Sequence, residues 1–244
     1  MIPGRVRPLL EETASLAERF GAAGHRIYLV GGAVRDLLAR PGQTATADLD
    51  LSTDATPDEI VALLDGWAES LWLAGRRFGT IGALHAGRRY EITTHRAEVY
   101  RPESRKPEVR FASRIEDDLE RRDFSVNAMA LSLPDPVLID PFGGLEDLAA
   151  RRLRTPLPPE ISFEEDPLRM LRAARFVAGY GLEPDPPLVG AISAMRGRLE
   201  VVSAERIRDE LDKLLVVADP SPVLWLLVET GLAGEFLPEL PALA

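Results

Sequence analysis

At 244 residues the chain suits one large or two small domains, and with 45% hydrophobic and 28% charged residues it has the balance of a globular protein rather than a disordered one. Its formal net charge of −10 excludes a uniformly basic nucleic-acid binder, and the absence of cysteine removes disulfide scaffolds, thiolate zinc sites and cysteine nucleophiles together. Glu11 and Glu12 interrupt the first apolar stretch too early for a secretion signal, and the apolar run Val223 to Val228 is far short of the ~18 residues of a membrane span, so a cytoplasmic protein with no membrane association is expected.

Leu9, Leu10, Ala14, Leu16, Ala17 and Phe20 recur at helical spacings and predict an amphipathic helix ending near Gly21 or Gly24. Residues 27–30 read as a short buried strand that runs into Gly31 and Gly32, after which 33–38 resumes helical character. Beyond a polar loop at 40–46, Ala47-Asp48-Leu49-Asp50-Leu51 alternates with strand period. Thr56-Pro57-Asp58-Glu59 is a helix start: threonine caps, proline suits the first turn, and the acids favour the positive end of the helix dipole. Strands are expected at 81–85 and 90–94, and the polar stretch 96–114 is long enough to be a functional loop.

Beyond Asp140 the pattern turns helical, with helices expected at 165–178, 187–195, 204–217 and 222–230. The chain thus divides into a mixed α/β head at 1–142, a helical neck at 143–216 and the start of a helical body at 217–244. The last helices carry Leu214, Leu215, Val223, Leu224, Trp225, Leu226 and Leu227 with little chain left to cover them, so either the chain has been shortened or a partner supplies the missing wall.

Asp48 and Asp50, two residues apart on a strand, place both carboxylates on one face, where hard divalent cations find oxygen ligands. Two ions so held would activate a hydroxyl and neutralise a leaving pyrophosphate; the pair is also a common solvated strand end. A strand running into Gly31 and Gly32 and then a helix offers backbone N–H groups to an anion, with Arg35 one turn in, although a tight turn with Arg35 paired to a surface acid fits as well. Lying within twenty residues of each other, the two features together suggest a nucleoside-triphosphate site with a metal. Segment 76–122 adds a local excess of four positive charges in an otherwise acidic chain.

In Arg121-Arg122-Asp123-Phe124-Ser125-Val126-Asn127, Arg122 can meet phosphate, Asp123 can accept from a ribose hydroxyl, and Asn127 can fix the backbone; a structural ion-pair cluster is the alternative for Asp123 and Asn127. Asp166-Pro167 is expected to open a helix along which Asp166, Arg169, Arg172 and Arg175 form a drifting stripe, ordinarily a solvated face paired to acids. Glu165 is expected to stabilise that helix start rather than touch substrate.

Five motifs stand in an order that resembles class II CCA-adding tRNA nucleotidyltransferases and bacterial poly(A) polymerases, both of the polymerase-β-like superfamily: LVGGAVRDLL at 29–38, DLDL at 48–51, RRDFSVNAM at 121–129, DPFGGLEDL at 140–148 and EEDPLRMLRAARF at 164–176. The resemblance implies an α+β fold, a small mixed sheet with flanking helices followed by an all-helical neck and the start of a body. It implies transfer of nucleotides from CTP and ATP to the 3′ end of tRNA with Mg²⁺, Asp48 and Asp50 holding the metal, Gly31, Gly32, Arg35 and Arg122 at the phosphates, Asp123 and Asn127 at the ribose. Asp166 and Arg169 would then be a protein template for the base edge, with Arg172 and Arg175 at phosphate or adjusting the template. AERIRDELDKLL at 204–215 resembles the family's last shared motif, making Glu205, Arg206 and Glu210 supports. Glu91 lies near where the superfamily places a third carboxylate, but class II relatives rely chiefly on two, so it is left outside the metal site.

Phe78-Gly79-Thr80 resembles the strand opening of CCA enzymes, and the intact stretch 96–114 is one that CC-adding relatives lack, which favours full CCA addition over CC-only, A-only or poly(A) addition. A non-catalytic RNA-binding module is the contrasting reading. Both aspartates are present, however, and only 6% of residues are aromatic, which offers few stacking platforms for RNA.

Overall fold

The computed structural model describes residues 6–39, 48–99, 108–240 and 242. Two compact units emerge, one from the chain up to Arg122 with Val126–Leu145, the other from Asp123–Ser125 with Glu146–Ala244.

The first unit opens with helix α1 (Arg7–Ala22), which buries Leu9, Thr13, Leu16, Ala17 and Phe20 as the spacing predicts. Strand β1 (Ile27–Val30) leads into α2 (Gly32–Ala39), and β2 (Asp48–Thr53) into α3 (Pro57–Leu64). A capping box closes α3 at its start: the Glu59 N–H donates to Thr56 Oγ1, and the Thr56 N–H donates to Glu59 Oε2 at 2.8 Å. Then come β3 (Ser70–Trp72), β4 (Thr80–His85), β5 (Arg88–Thr94), β6 (Arg96–Val99), β7 (Glu108–Phe111), α4 (Ile115–Glu120), β8 (Ala130–Leu133) and β9 (Leu138–Ile139).

Seven strands form one sheet in the order β3-β4-β5-β2-β1-β8-β9, with β2 and β5 parallel and the other pairs antiparallel. The main core lies on one face, where Leu49, Leu51, Ile81, Ala83, Tyr90 and Ile92 meet the apolar sides of α1, α2 and α3. On the opposite face Tyr28 and Val30 pack with Ile115 and Leu119 of α4. That second face carries Asp48 and Asp50, because alternation along β2 buries Leu49 and Leu51 and turns the carboxylates the other way.

The stretch 96–114, expected as a loop, contains the paired strands β6 and β7, in register from Arg96↔Phe111 to Val99↔Glu108. Both strands alternate polar and apolar residues, Arg96-Ala97-Glu98-Val99 and Glu108-Val109-Arg110-Phe111, but over only four positions each and next to a stretch holding Pro102 and Pro107, so the pairing decides what the short pattern leaves open; positions 100–107 lie outside the described residues, as does the loop 40–46. Strand β3, three residues long, is too short for a period-two signal.

The second unit is mainly helical, with α5 (Gly144–Ala149) crossing into it, then α6 (Pro159–Glu165), α7 (Arg169–Tyr180), α8 (Pro186–Met195), α9 (Ala204–Leu215) and α10 (Ser221–Glu229). It is not wholly helical: β10 (Arg152–Leu153) pairs in parallel with β11 (Glu183–Pro184). The helix expected over 165–178 is α7, which begins at Arg169 just beyond Asp166-Pro167, and a further helix not expected from the sequence, α6, ends at Glu165 immediately before it. Pro167 disfavours helical geometry at the residue before it, so Asp166 is extended, with φ −142°, and ends α6. The same aspartate starts the next turn, its Oδ1 accepting from the Leu168 N–H at 3.2 Å and its carbonyl from the Arg169 N–H at 3.0 Å. Helix α7 buries Met170, Leu171, Ala173, Ala174 and Phe176 and packs against α9 and α10.

Candidate functional site

In the first unit the glycine turn, the aspartate strand and the Arg121-Arg122 pair converge. Gly31 ends β1 with φ +67°, a left-handed conformation that side chains disfavour, and a Cβ there would stand 2.9 Å from Arg122 Nη1 and 3.8 Å from Asp50 Oδ2. Glycine is therefore favoured by conformation, and any side chain there would have to displace the Arg122 guanidinium. The backbone turns directly into α2, the Arg35 N–H donating to the Gly31 carbonyl at 3.1 Å.

Asp48 and Asp50 are exposed on the sheet face, and Glu91 stands opposite Asp50 in the parallel β2–β5 register. Surrounding protein raises the Asp50 carboxyl above its ordinary value; Arg122 opposes the shift and Asp48 adds to it. Glu91 is raised by burial, then by Asp50 and Asp48. Asp50 and Glu91, each raised in part by neighbouring carboxylates, gain from a cation among them. Among the described residues, no three acidic or histidine side chains close into a complete metal cage.

Arg122 is aimed by a residue that the sequence did not single out. Asp118, 1% exposed, accepts from Arg121 Nη2 at 3.1 Å and from Arg122 Nη2 at 3.0 Å. Burial alone would raise its carboxyl, but Arg122 and Arg121 outweigh that and hold it at about 2. The available signal was spacing: Asp118 lies three and four residues before the arginine pair, one turn away at the end of α4.

Arg35 is buried beneath the turn. Its Nη1 donates to Asn127 Oδ1 at 2.6 Å and its Nε to Asp36 Oδ1 at 3.0 Å, while a Cβ on Gly32 would lie 3.3 Å from its Nη2. The guanidinium thus ties the start of α2 to Asn127, joining two segments 92 residues apart. His95 is a core histidine, its Nδ1 2.8 Å from Ser52 Oγ, and burial lowers its basicity.

In the second unit every residue of the stripe has a partner. Asp123 Oδ2 accepts from Arg172 Nη2 at 2.5 Å, and that carboxylate raises the Arg172 guanidinium above its ordinary value against the opposing effect of burial. Arg169 Nη1 donates to Glu165 Oε2 at 3.0 Å and to Ser162 Oγ at 2.8 Å. Glu165 therefore ends α6 and holds Arg169 across the break, rather than starting a helix. Asp166 Oδ2 accepts from Arg206 Nη2 at 2.9 Å, and Arg175 pairs with buried Glu210. Asp166 and Arg169 stand at the α6–α7 break, each steadied by its own partner; Arg172 and Arg175 follow on α7. Arg206 and Glu210 of α9 thus hold Asp166 and Arg175 by ion pairs, whereas Glu205 is exposed in the first turn of α9.

A mixed sheet with paired carboxylates on one strand, facing a glycine turn and an arginine, is the fold of polymerase-β-like nucleotidyltransferases. The sequence agrees over 27–154 with the family model described as "Poly A polymerase head domain", and the chain belongs to that family. Residues 181–243 agree with a second model, "Probable RNA and SrmB- binding site of polymerase A". Among curated proteins the chain is 38% identical over 237 residues to the CCA-adding enzyme of Geobacillus thermodenitrificans, covering 96% of this chain and 56% of that one. It is 40% identical over 214 residues to that of Bacillus subtilis, covering 87% and 52%. The Bacillus stearothermophilus CCA-adding enzyme in complex with CTP superposes with a TM-score of 0.78 at 35% identity, over 94% of this chain and 53% of that one. The Thermotoga maritima CCA-adding enzyme complexed with tRNA superposes at 0.76 and 27% identity, over 98% and 54%. The chain thus spans little more than half the length of these relatives. No helix among the described residues is long and apolar enough to cross a membrane.

Proposed function

We propose that the chain carries the catalytic and nucleotide-recognising portion of a template-independent RNA nucleotidyltransferase that adds CCA to the 3′ end of tRNA from CTP and ATP. The observation that carries this reading is the convergence of Arg122 Nη1 and Asp50 Oδ2 on the Gly31 turn, both within 4 Å of where a Cβ would stand, beside a second aspartate. Similarity to CCA-adding enzymes over nearly the whole chain supports the choice of reaction.

The acceptor 3′ hydroxyl gives up its proton to solvent and attacks the α-phosphorus of the nucleotide, a P–O bond forms, the bond from that phosphorus to the oxygen bridging to the β-phosphate breaks, and pyrophosphate leaves with the electron pair. Asp48 and Asp50 suit Mg²⁺: they are hard oxygen donors on one face of β2, and the Asp48 charge adds to the raised Asp50 carboxyl, a repulsion that a divalent cation would relieve. The bound metal would supply hydroxyl activation and charge neutralisation at the leaving group. The N–H groups around Gly31 and Gly32 and the Arg122 guanidinium would hold the triphosphate. Buried Arg35, through Asn127, would keep that turn in shape.

Asp123 would accept from the ribose hydroxyl while bound to Arg172, and Asp166 with Arg169 would present an acceptor and donors to the base edge, Arg175 fixing α7 against α9. In this reading residues 1–142 are the head, 143–216 the neck and 217–244 the start of the body, and the setting is the cytoplasm.

Labelled CTP and ATP offered with Mg²⁺ and a tRNA lacking its 3′ CCA test the proposal. It expects a product longer by C, C and A, and none from Asp48→Ala or Asp50→Ala at unchanged far-UV circular dichroism. A long A tract from ATP alone would assign poly(A) addition instead, the activity whose name the family model bears. Normal transfer by either aspartate variant would overturn the two-carboxylate mechanism.

A further inference from the structure

Four strands of the first unit place one row of residues across the open sheet face. Asp50 pairs with Glu91, Glu91 with Gly82, and Gly82 with Trp72. Gly82 contributes no side chain to this row, and the Trp72 ring occupies the place: a Cβ on Gly82 would lie 3.2 Å from the indole Cε3 and 3.4 Å from the Trp72 Cβ. The indole covers the glycine and remains 45% exposed, a large fraction for a residue that usually buries most of its surface. Arg89, exposed on β5 opposite Asp48, holds its guanidinium 5.8 Å from the ring centroid.

Trp72, Gly82, Arg89 and Glu91 line, with Thr80, a cavity of about 360 Å³ that reaches Asp48, one of the two carboxylates of β2. That volume falls in the range of about 300–1,000 Å³ usual for small-ligand sites. With strands about 4.8 Å apart, the β4 position under the indole is two spacings, about 10 Å, from the Asp50 strand. A half-exposed indole with a guanidinium over its ring joins the aromatic surface that takes a nucleobase to the cation that takes its phosphate.

Two strands could bring a base here, the incoming nucleotide or the acceptor. Gly31 and Arg122 lie on the β1 side of Asp50, whereas the indole lies on the other side, beyond Glu91. We propose that Trp72 and Arg89 form the subsite for the single-stranded 3′ end of the RNA acceptor, the terminal base stacking on the indole and a backbone phosphate meeting Arg89. The inference rests on the nucleotidyltransferase reading above and adds a residue to it. It also supplies the stacking platform that an aromatic content of 6% made scarce.

Two measurements test it. In the transfer assay, Trp72→Ala raises the KM for tRNA about tenfold and the KM for CTP less than about twofold, Trp72→Phe restores most of the loss, and Arg89→Gln raises the tRNA KM in the same sense. An indole present only to cover Gly82 would lower Tm and leave the tRNA KM alone, and that result overturns the proposal, as does a rise confined to the CTP KM. Independently of turnover, a single-stranded ribo-oligonucleotide quenches tryptophan fluorescence in the wild type and in Trp225→Phe, which removes the other exposed tryptophan, but not in Trp72→Phe. If the chain transfers no nucleotide while this quenching persists, the function proposed above fails and the RNA subsite stands. Quenching that survives Trp72→Phe removes the subsite whatever the activity.

Discussion

The most informative single change is Asp118→Asn, which keeps the shape of the side chain and deletes its charge. Asp118 is 1% exposed, lies 3.1 and 3.0 Å from the Arg121 and Arg122 guanidinium groups, and titrates at about 2 against an ordinary 3.8. A shift of that size corresponds to about 2 kcal/mol of folding stability carried by the ionised form. The folded value lies below the unfolded one, so the contribution is present in full above about pH 5 and drains away as pH falls, about half of it remaining near pH 3. The variant has no such group. Urea unfolding followed by circular dichroism should show wild type and variant separated by about 2 kcal/mol at pH 7, converging toward pH 2. Asp118 also aims Arg122 at the Gly31 turn, so the variant should raise the KM for CTP and for ATP together. A stability gap of the same size at pH 3 and pH 7 would refute the electrostatic account. Unchanged nucleotide KM values would show that Arg122 needs no such anchor.

Gly31→Ala must place a side chain at φ +67° and 2.9 Å from Arg122 Nη1; we expect about 1 kcal/mol of lost stability, read from Tm, and weaker CTP and ATP binding alike, whereas unaltered nucleotide binding would remove the turn from the site. Asp166→Ala and Arg169→Ala should admit UTP or GTP while metal-dependent transfer continues, and Glu165→Gln should do so more weakly through Arg169; a preference that stays with CTP and ATP in all three reduces the stripe to an ion-paired surface. Glu210→Gln should destabilise the second unit by about 2 kcal/mol, because Arg175 loses its buried counter-charge, and thermal unfolding would show it.

Sequence periodicity and local chemistry were enough for the elements whose signals lie within one turn or one strand. The apolar spacing of α1, the Thr56–Glu59 cap and the alternation of Leu49 and Leu51 with Asp48 and Asp50 all reappear in the structure as read. The same holds for the pairing of two carboxylates with a glycine turn, because both features are short in sequence.

What the sequence could not show is which distant residues meet. Strands β6 and β7 alternate over only four residues each, too few to be told from a loop without their partners, and helix α6 before Asp166 has no comparable signal in the sequence. Asp118 looks in sequence like one more acid in an acidic helix. Burial beside two arginines makes it the group that aims Arg122. Arg35 reads in sequence only as an arginine one turn into a helix, and the structure brings its guanidinium to Asn127, 92 residues away; Glu165 closes on Arg169 across the gap between α6 and α7. Trp72 has no motif around it, and its place in a row with Gly82, Glu91 and Asp50 follows from strand order. Composition and spacing determine which groups the chain carries and which face of an element they take, since those depend on neighbours along the chain. The charge, exposure and partners of those groups were decided by tertiary structure, because Coulomb energy and desolvation depend on distance in space rather than separation in sequence.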